Sequence, residues 1–310
     1  MKRAFALLPF RFHFQAVEPI AFPPLTGANV LRGAFGIVLR SALCVPECQD
    51  PRLCPRTSTC AYARIFEPSG PPSRPSGFAN PPRPYLLRAQ SLDGIRCKPG
   101  DTWSFDLHLF DIRPPSLTAD LFRGIQAMAE LGIGAGRGRS RLIRAELLDA
   151  SGEPAKVVED ARDLTPLILN LEPPPGLVGR VLVQFVTPTE LKQAGSLAGT
   201  PEFNVLFARV RDRISSLASL YGEGPLQFDF AGIGERAADV RIVRADLSRV
   251  QAARRSSRTG RVHPLGGFIG TVEYEGGLSE FLPWLRAAWW TGVGRQTVWG
   301  KGAIRTVVLG

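Results

Sequence analysis

Apolar positions run along the chain in two rhythms, one of period two and one of helical spacing, and each switches at a Gly- or Pro-rich break. Ala4 to Ile20 alternates loosely, with Phe5, Phe10, Phe12 and Phe14 among its apolar positions, which predicts a strand. Beyond the Phe22-Pro23-Pro24 turn, apolar residues at 30, 31, 34, 35, 38, 39, 42 and 43 keep helical spacing up to Cys44, with Asn29 placed to cap that helix. Strands are predicted at Tyr85–Arg96 and Asp101–Ile112 around a "CKPGD" turn, and a helix at Leu117–Leu131. A glycine-rich loop at 132–140 and a strand at 141–148 follow.

The second half repeats this order. It reads as a strand at Arg180–Thr187, a helix at Glu202–Tyr221, strands at Arg241–Val250 and Gly267–Tyr274, a helix at Leu278–Trp290, a glycine-rich loop at 292–302 and a strand at Ala303–Leu309. Two βαββαβ units account for both halves. The expected architecture is therefore α+β, two tandem ferredoxin-like (RRM-like) domains, a sheet topology that RNA-recognition modules also use. The first domain spans 1–150 and carries a Cys- and Pro-rich insertion at 44–84; a Pro-rich linker at 151–178 leads to the second domain at 179–310.

Charge adds a partner class to this picture. Across 310 residues, 38 Lys+Arg stand against 28 Asp+Glu, a formal charge of +10, and 33 of the cations are arginine. Such a surface attracts polyanions, so nucleic acid is the first partner to consider. No run of about 18 apolar residues is present, and the opening "MKRAFALLPFRFHFQ" reads as a strand flanked by charges, which excludes a membrane span and a signal peptide. Five cysteines without a secretory signal point to the reducing cytoplasm rather than to a disulfide framework. Four of them read Cys44-x3-Cys48-x5-Cys54-x5-Cys60, a set that suits a structural tetrahedral zinc, with an iron–sulfur cluster or free thiols as alternatives. Cys97 stands apart as a small buried residue.

The sharpest motif is "GVGRQTVWGKG", in which Gly292, Gly294, Gly300 and Gly302 frame Arg295 and Lys301. Glycines admit a backbone close to phosphate and the two cations attract an anion. The loop follows a helix and precedes a strand, the reverse of a dinucleotide-binding turn. It resembles the C-terminal glycine loop of the CRISPR-associated, RNA-processing endoribonucleases of the RAMP superfamily. "LRGAFGIVLRSALC" at 31–44, "CAYARIFEP" at 60–68, "RPYLL" at 83–87, "RRSSRTGRVHPLGGFIG" at 254–270 and "FLPWLRAAWWTGVG" at 281–294 extend the resemblance in order through most of the chain.

The resemblance implies binding of the repeat-derived part of a CRISPR transcript and one cut per repeat. No cofactor takes part: the 2′-hydroxyl attacks the adjacent phosphate and leaves a 2′,3′-cyclic phosphate and a 5′-hydroxyl. The alternative within the same family is a non-cleaving subunit that holds the repeat-derived end of a guide RNA among other CRISPR effector subunits. Such cleavage calls for a base, an acid and a cation at the phosphorane. The family often places a histidine in or just after the first helix, and position 37 here is Ile37. Of the three histidines, His13 on the first strand is the candidate for proton transfer, with Arg32 and Arg40 on the first helix as cations. His108 reads as structural. RNA contacts are expected from Arg254, Arg255, Arg258, Arg261 and His263, from Arg137 and Arg139 in the first glycine loop, and from the second loop. Trp284, Trp289 and Trp290 fall on a helix, where packing outweighs base stacking.

Overall fold

The computed structural model describes residues 3–310 except 45–47, 49, 52–53, 57–58, 69–80, 114, 162–163 and 256–261. The chain divides into two compact units: Ala6–Leu167 with Leu220–Glu223, and Met1–Phe5 with Ile168–Ser219 and Gly224–Gly310.

In the N-terminal unit the order is β1 (Ala4–Ala16), α1 (Gly27–Leu43), α2 (Ala61–Phe66), β2 (Tyr85–Arg88), β3 (Thr102–Leu109), α3 (Pro115–Leu131), β4 (Ser140–Leu148) and β5 (Pro154–Val157). The strands lie side by side as β2-β3-β1-β4-β5, and each neighbouring pair is antiparallel. Without β5 this is the ferredoxin-like order. Alternation on β1 decides what the sheet buries. Phe10, Phe12 and Phe14 enter a core shared with Leu31, Phe35 and Leu39 of α1 and with Leu121 and Ile125 of α3. Arg11, His13 and Gln15 point to the opposite face, as the pleat requires. Burying each phenylalanine contributes about 1.5–3 kcal/mol. Geometry adds to area, since Phe10 meets the edge of Phe122 at 5.2 Å and Phe14 stacks on Trp103 at 4.3 Å.

Several boundaries differ from the sequence reading for local reasons. α1 begins at Gly27, two residues before Asn29, because Asp93 accepts the Gly27 N–H at 2.8 Å and caps the helix from a distant segment. The strand expected at Tyr85–Arg96 ends at Arg88, where the chain turns through a 3-10 segment at Gln90–Leu92. The segment read as a linker from 151 begins inside the N-terminal unit, because β5 extends its sheet beside β4.

The C-terminal unit contains β6 (Arg180–Thr189), α4 (Phe203–Tyr221), α5 (Phe230–Arg236), β7 (Arg241–Val250), β8 (Ala253–Arg255), β9 (Val262–Pro264), β10 (Gly267–Glu275), α6 (Leu282–Thr291) and β11 (Ile304–Val308). Its sheet runs β7-β10-β6-β11, the same ferredoxin-like order, and β8 pairs with β9 between the two strands of the β7/β10 pair. Trp284 is fully buried against the edges of Phe207 and Phe228, while Phe203 and Phe281 close the same aromatic core. Two βαββαβ units, inferred from hydrophobic rhythm, are thus what the chain forms. Among the described residues no helix is long and apolar enough to cross a membrane.

Candidate active site

On the face of the N-terminal sheet turned away from α1 and α3, the residues between the phenylalanines of β1 meet polar partners on both neighbouring strands. Arg11 lies opposite Asp106 on β3 and Glu146 on β4; His13 lies opposite Ser104 and Arg144. Between His13 and Phe14 the register with β4 shifts, a bulge that sets Arg144 beside His13 and Leu142 beside Phe14. Bulges of this kind re-aim side chains beside functional sites. The outcome is a contact of 2.7 Å between His13 Nε2 and a Glu146 carboxylate oxygen. The other oxygen of Glu146 stands 3.3 Å from Arg144 Nε. Glu146 is 9% exposed at its side chain and His13 24%. The carboxylate is therefore well shielded, whereas the imidazole keeps a solvent-facing edge.

Neighbouring pairs stiffen this face. Arg11 donates to both Asp106 oxygens, at 2.7 and 3.0 Å, and that carboxylate raises the guanidinium's pKa further. Arg141 donates to the Gln15 side chain at 3.0 Å. With Nε2 engaged by Glu146, the imidazole retains Nδ1 for proton exchange, and Arg144 supplies an exposed cation one strand away. An imidazole, a carboxylate and a guanidinium are thus adjacent, groups that could in principle transfer a proton, orient the imidazole and offset negative charge.

The three residues proposed together from sequence do not converge. α1 packs on the phenylalanine face, so Arg32 and Arg40 lie across the sheet from His13. Arg32 sits 5.5 Å from the centre of the Phe66 ring and near the buried Tyr85 hydroxyl. Arg40 stands near the Cys44 and Cys48 thiols. A single phosphate cannot meet both sets. Ile37 is exposed on α1. His108 is buried within β3, as the alternation of that strand predicts.

The residues expected to touch RNA fall into groups of different character. Arg254 is the register partner of His263 and Arg255 that of Val262 in the β8/β9 pair, and Arg258 and Arg261 lie outside the described residues. Arg137 is exposed, at φ 49°, and Arg139 forks onto Glu18. In the second loop, Gly292, Gly294, Gly300 and Gly302 all have positive φ. A Cβ on Gly302 would lie 1.9 Å from the Val293 carbonyl oxygen, so this glycine permits backbone contact within the protein. Lys301 is tied within the protein. Its ammonium donates to Glu190 at 2.9 Å, the Gly266 carbonyl at 2.6 Å and Gln296 at 2.9 Å, which uses all three hydrogens. Burial lowers its pKa while Glu190 opposes that shift, and the side chain is enclosed rather than presented to an anion. Arg295 is more open and stands 3.6 Å from Glu190. Cys44, Cys48, Cys54 and Cys60 are half-buried free thiols between α1 and α2.

Residues 5–168 match a family model described as an N-terminal domain, and residues 183–304 match the model of the CRISPR-associated endoribonuclease Cas6. Residues 183–304 thus form a Cas6-family domain. Solved Cas6 structures share the fold of the chain over nearly its whole length. One is the product complex of Thermus thermophilus Cas6 (TTHB231), with a TM-score of 0.59, 19% identity and coverage of 97% of this chain and 99% of that one. Another is the product complex of Cas6 (TTHA0078), with a TM-score of 0.53, 17% identity and coverage of 98% and 100%. A partial Cas6-RT-Cas1–Cas2 complex gives a TM-score of 0.56 at 13% identity, covering 98% of this chain and 46% of that one. No curated protein matches the sequence. Glu146 and Arg144 are the neighbours of His13 that sequence reading did not single out. Their signal was the charge on β4, but which of those charges faces His13 is decided by the bulge.

Proposed function

We propose that this chain binds CRISPR repeat RNA and cuts the precursor transcript within each repeat by metal-independent attack of a 2′-hydroxyl on the adjacent phosphate. The products are a 2′,3′-cyclic phosphate and a 5′-hydroxyl. The observation that carries the reading is the His13–Glu146 contact beside Arg144 on the sheet face of the N-terminal unit, in a chain whose residues 183–304 match the Cas6 model. Neutral His13 takes the 2′-hydroxyl proton at Nδ1, Glu146 stabilises the imidazolium that forms, and Arg144 offsets charge gathering on the phosphorane oxygens. Proton return to the 5′-oxygen completes the cut. Precursor RNA and the mature guide are the partners, met in the cytoplasm, with other CRISPR effector subunits able to share the guide.

A second reading has its own observation. Ile37 is exposed where the family resemblance leads one to expect a histidine, and Arg32 and Arg40 stand across the sheet from His13, which fits a non-cleaving subunit that retains the repeat end of the guide. Single-turnover cleavage of labelled repeat RNA separates the two. His13→Ala is expected to slow cutting by about 10²–10⁴-fold with binding retained. Glu146→Gln and Arg144→Ala are each expected to slow cutting less. Undiminished cutting by His13→Ala would remove the pair from the mechanism, and repeat-specific binding by the unmutated chain without any cut would establish the second reading.

A further inference from the structure

On the face of the N-terminal sheet turned away from α1 and α3, the register lays three rows of side chains across β3, β1 and β4. Asp106, Arg11 and Glu146 form the first row, Ser104, His13 and Arg144 the second, and Thr102, Gln15 and Arg141 the third. With His13 neutral, the first row carries one net negative charge and each of the others one net positive charge. The acidic sign continues past the first row. Arg11 reaches the Gly152 carbonyl at 3.4 Å, in a turn whose Asp149 and Glu153 are exposed. Past the third row the sign is basic. Gln15 donates to the Gly100 carbonyl at 3.3 Å, in a turn that exposes Lys98, and the glycine loop ahead of β4 exposes Arg137 and Arg139. The acids at this end are engaged, since Asp101 accepts the Lys98 backbone N–H at 2.7 Å and Glu18 accepts the Arg139 guanidinium at 2.7 Å.

We propose that an RNA strand seated at His13 runs along β1 toward the Lys98 turn, with the phosphate beside the scissile one held by Arg141 and the Gln15 amide. This rests on the reading of His13 as the place of the cut. A strand carries a negative charge at every linkage, so the opposite course would set its phosphates against Asp106, Glu146, Asp149 and Glu153. Side chains on one face of a strand recur about every 6.7 Å, close to the step between neighbouring phosphates, so His13 and Gln15 match consecutive linkages. Arg141 donates to Gln15 Oε1 at 3.0 Å, a contact that steadies the guanidinium and uses one of its five N–H groups. A guanidinium fork suits phosphate oxygens. The phenylalanines of β1 lie on the opposite face, so this row positions the RNA backbone and does not read bases.

The test measures binding of the full chain to repeat RNA that bears one 2′-deoxy sugar at the scission site, so that no cut intervenes. Arg141→Ala is expected to weaken binding several-fold and to lower the slope of log Kd against log salt by about one. Lys156→Ala removes an exposed cation from β5, beside the strand that carries Glu146, and is expected to change neither. A neutral methylphosphonate is then placed in turn at each linkage around the scission site. At the linkage beside the scissile one it is expected to weaken binding by the unmutated chain and to cost nothing further in Arg141→Ala, because both changes remove the same contact. Losses that add at every linkage overturn the proposal, as does an equal fall in salt slope for Lys156→Ala. Cutting of the all-ribose strand is read separately. If His13→Ala leaves it undiminished, the cleavage reading falls while a phosphate coupled to Arg141 keeps the track; cutting that depends on His13 without that coupling sinks the track alone.

Discussion

Just after β1, Glu18 accepts the Arg139 guanidinium ahead of β4; just after β6, Glu190 accepts the Lys301 ammonium ahead of β11. The two units therefore fasten the glycine loop before their last strand to the end of their first strand with an acid and a cation. Backbone contact repeats the plan, since a Cβ on Gly138 would lie 2.2 Å from the Pro19 carbonyl oxygen and one on Gly294 would lie 2.3 Å from that of Glu190. Solvent makes the difference. The Arg139 and Glu18 side chains are 58% and 39% exposed, against 3% and 12% for Lys301 and Glu190. In water the Coulomb gain of a pair is nearly matched by screening and side-chain entropy, whereas removing one partner of a buried pair strands the other.

The sharpest way to break the comparison is Lys301→Met. It leaves Glu190 with Arg295 at 3.6 Å as its ion-pair partner among the described residues and strips a donor from the Gly266 carbonyl, so a loss near the lower end of the range for broken buried pairs, about 3 kcal/mol, is expected. Urea denaturation followed by the tryptophans of the C-terminal unit reads this directly. Glu18→Gln is expected to cost less than about 1 kcal/mol, and its effect should shrink as salt is raised while that of Lys301→Met does not. Equal losses at the two loops would mean that solvent exposure does not distinguish them.

The repeated plan was legible in part. Hydrophobic rhythm located both units, since a strand that buries Phe10, Phe12 and Phe14 must turn Arg11, His13 and Gln15 the other way. It also marked both glycine loops by composition. What the rhythm does not encode is partnership across strands. Glu146 reaches His13 because of a bulge whose position depends on how β1 and β4 settle against each other. Lys301 is enclosed because Glu190, 111 residues earlier, folds beside it. A basic residue in a glycine loop looks the same in sequence whether its charge faces solvent or a buried carboxylate. Arg32 and Arg40 mislead in a similar way, as helical spacing places them on α1 without showing that the sheet stands between α1 and His13.

Cleavage of repeat RNA in EDTA, comparing an all-ribose strand with one bearing a single 2′-deoxy sugar 5′ to the scission site, is the measurement that tests the central claim most directly. The account predicts one cut in the ribose strand, ending in a 2′,3′-cyclic phosphate, and an intact deoxy strand bound with similar affinity. Cutting of the deoxy strand, or cutting that EDTA abolishes, would contradict it.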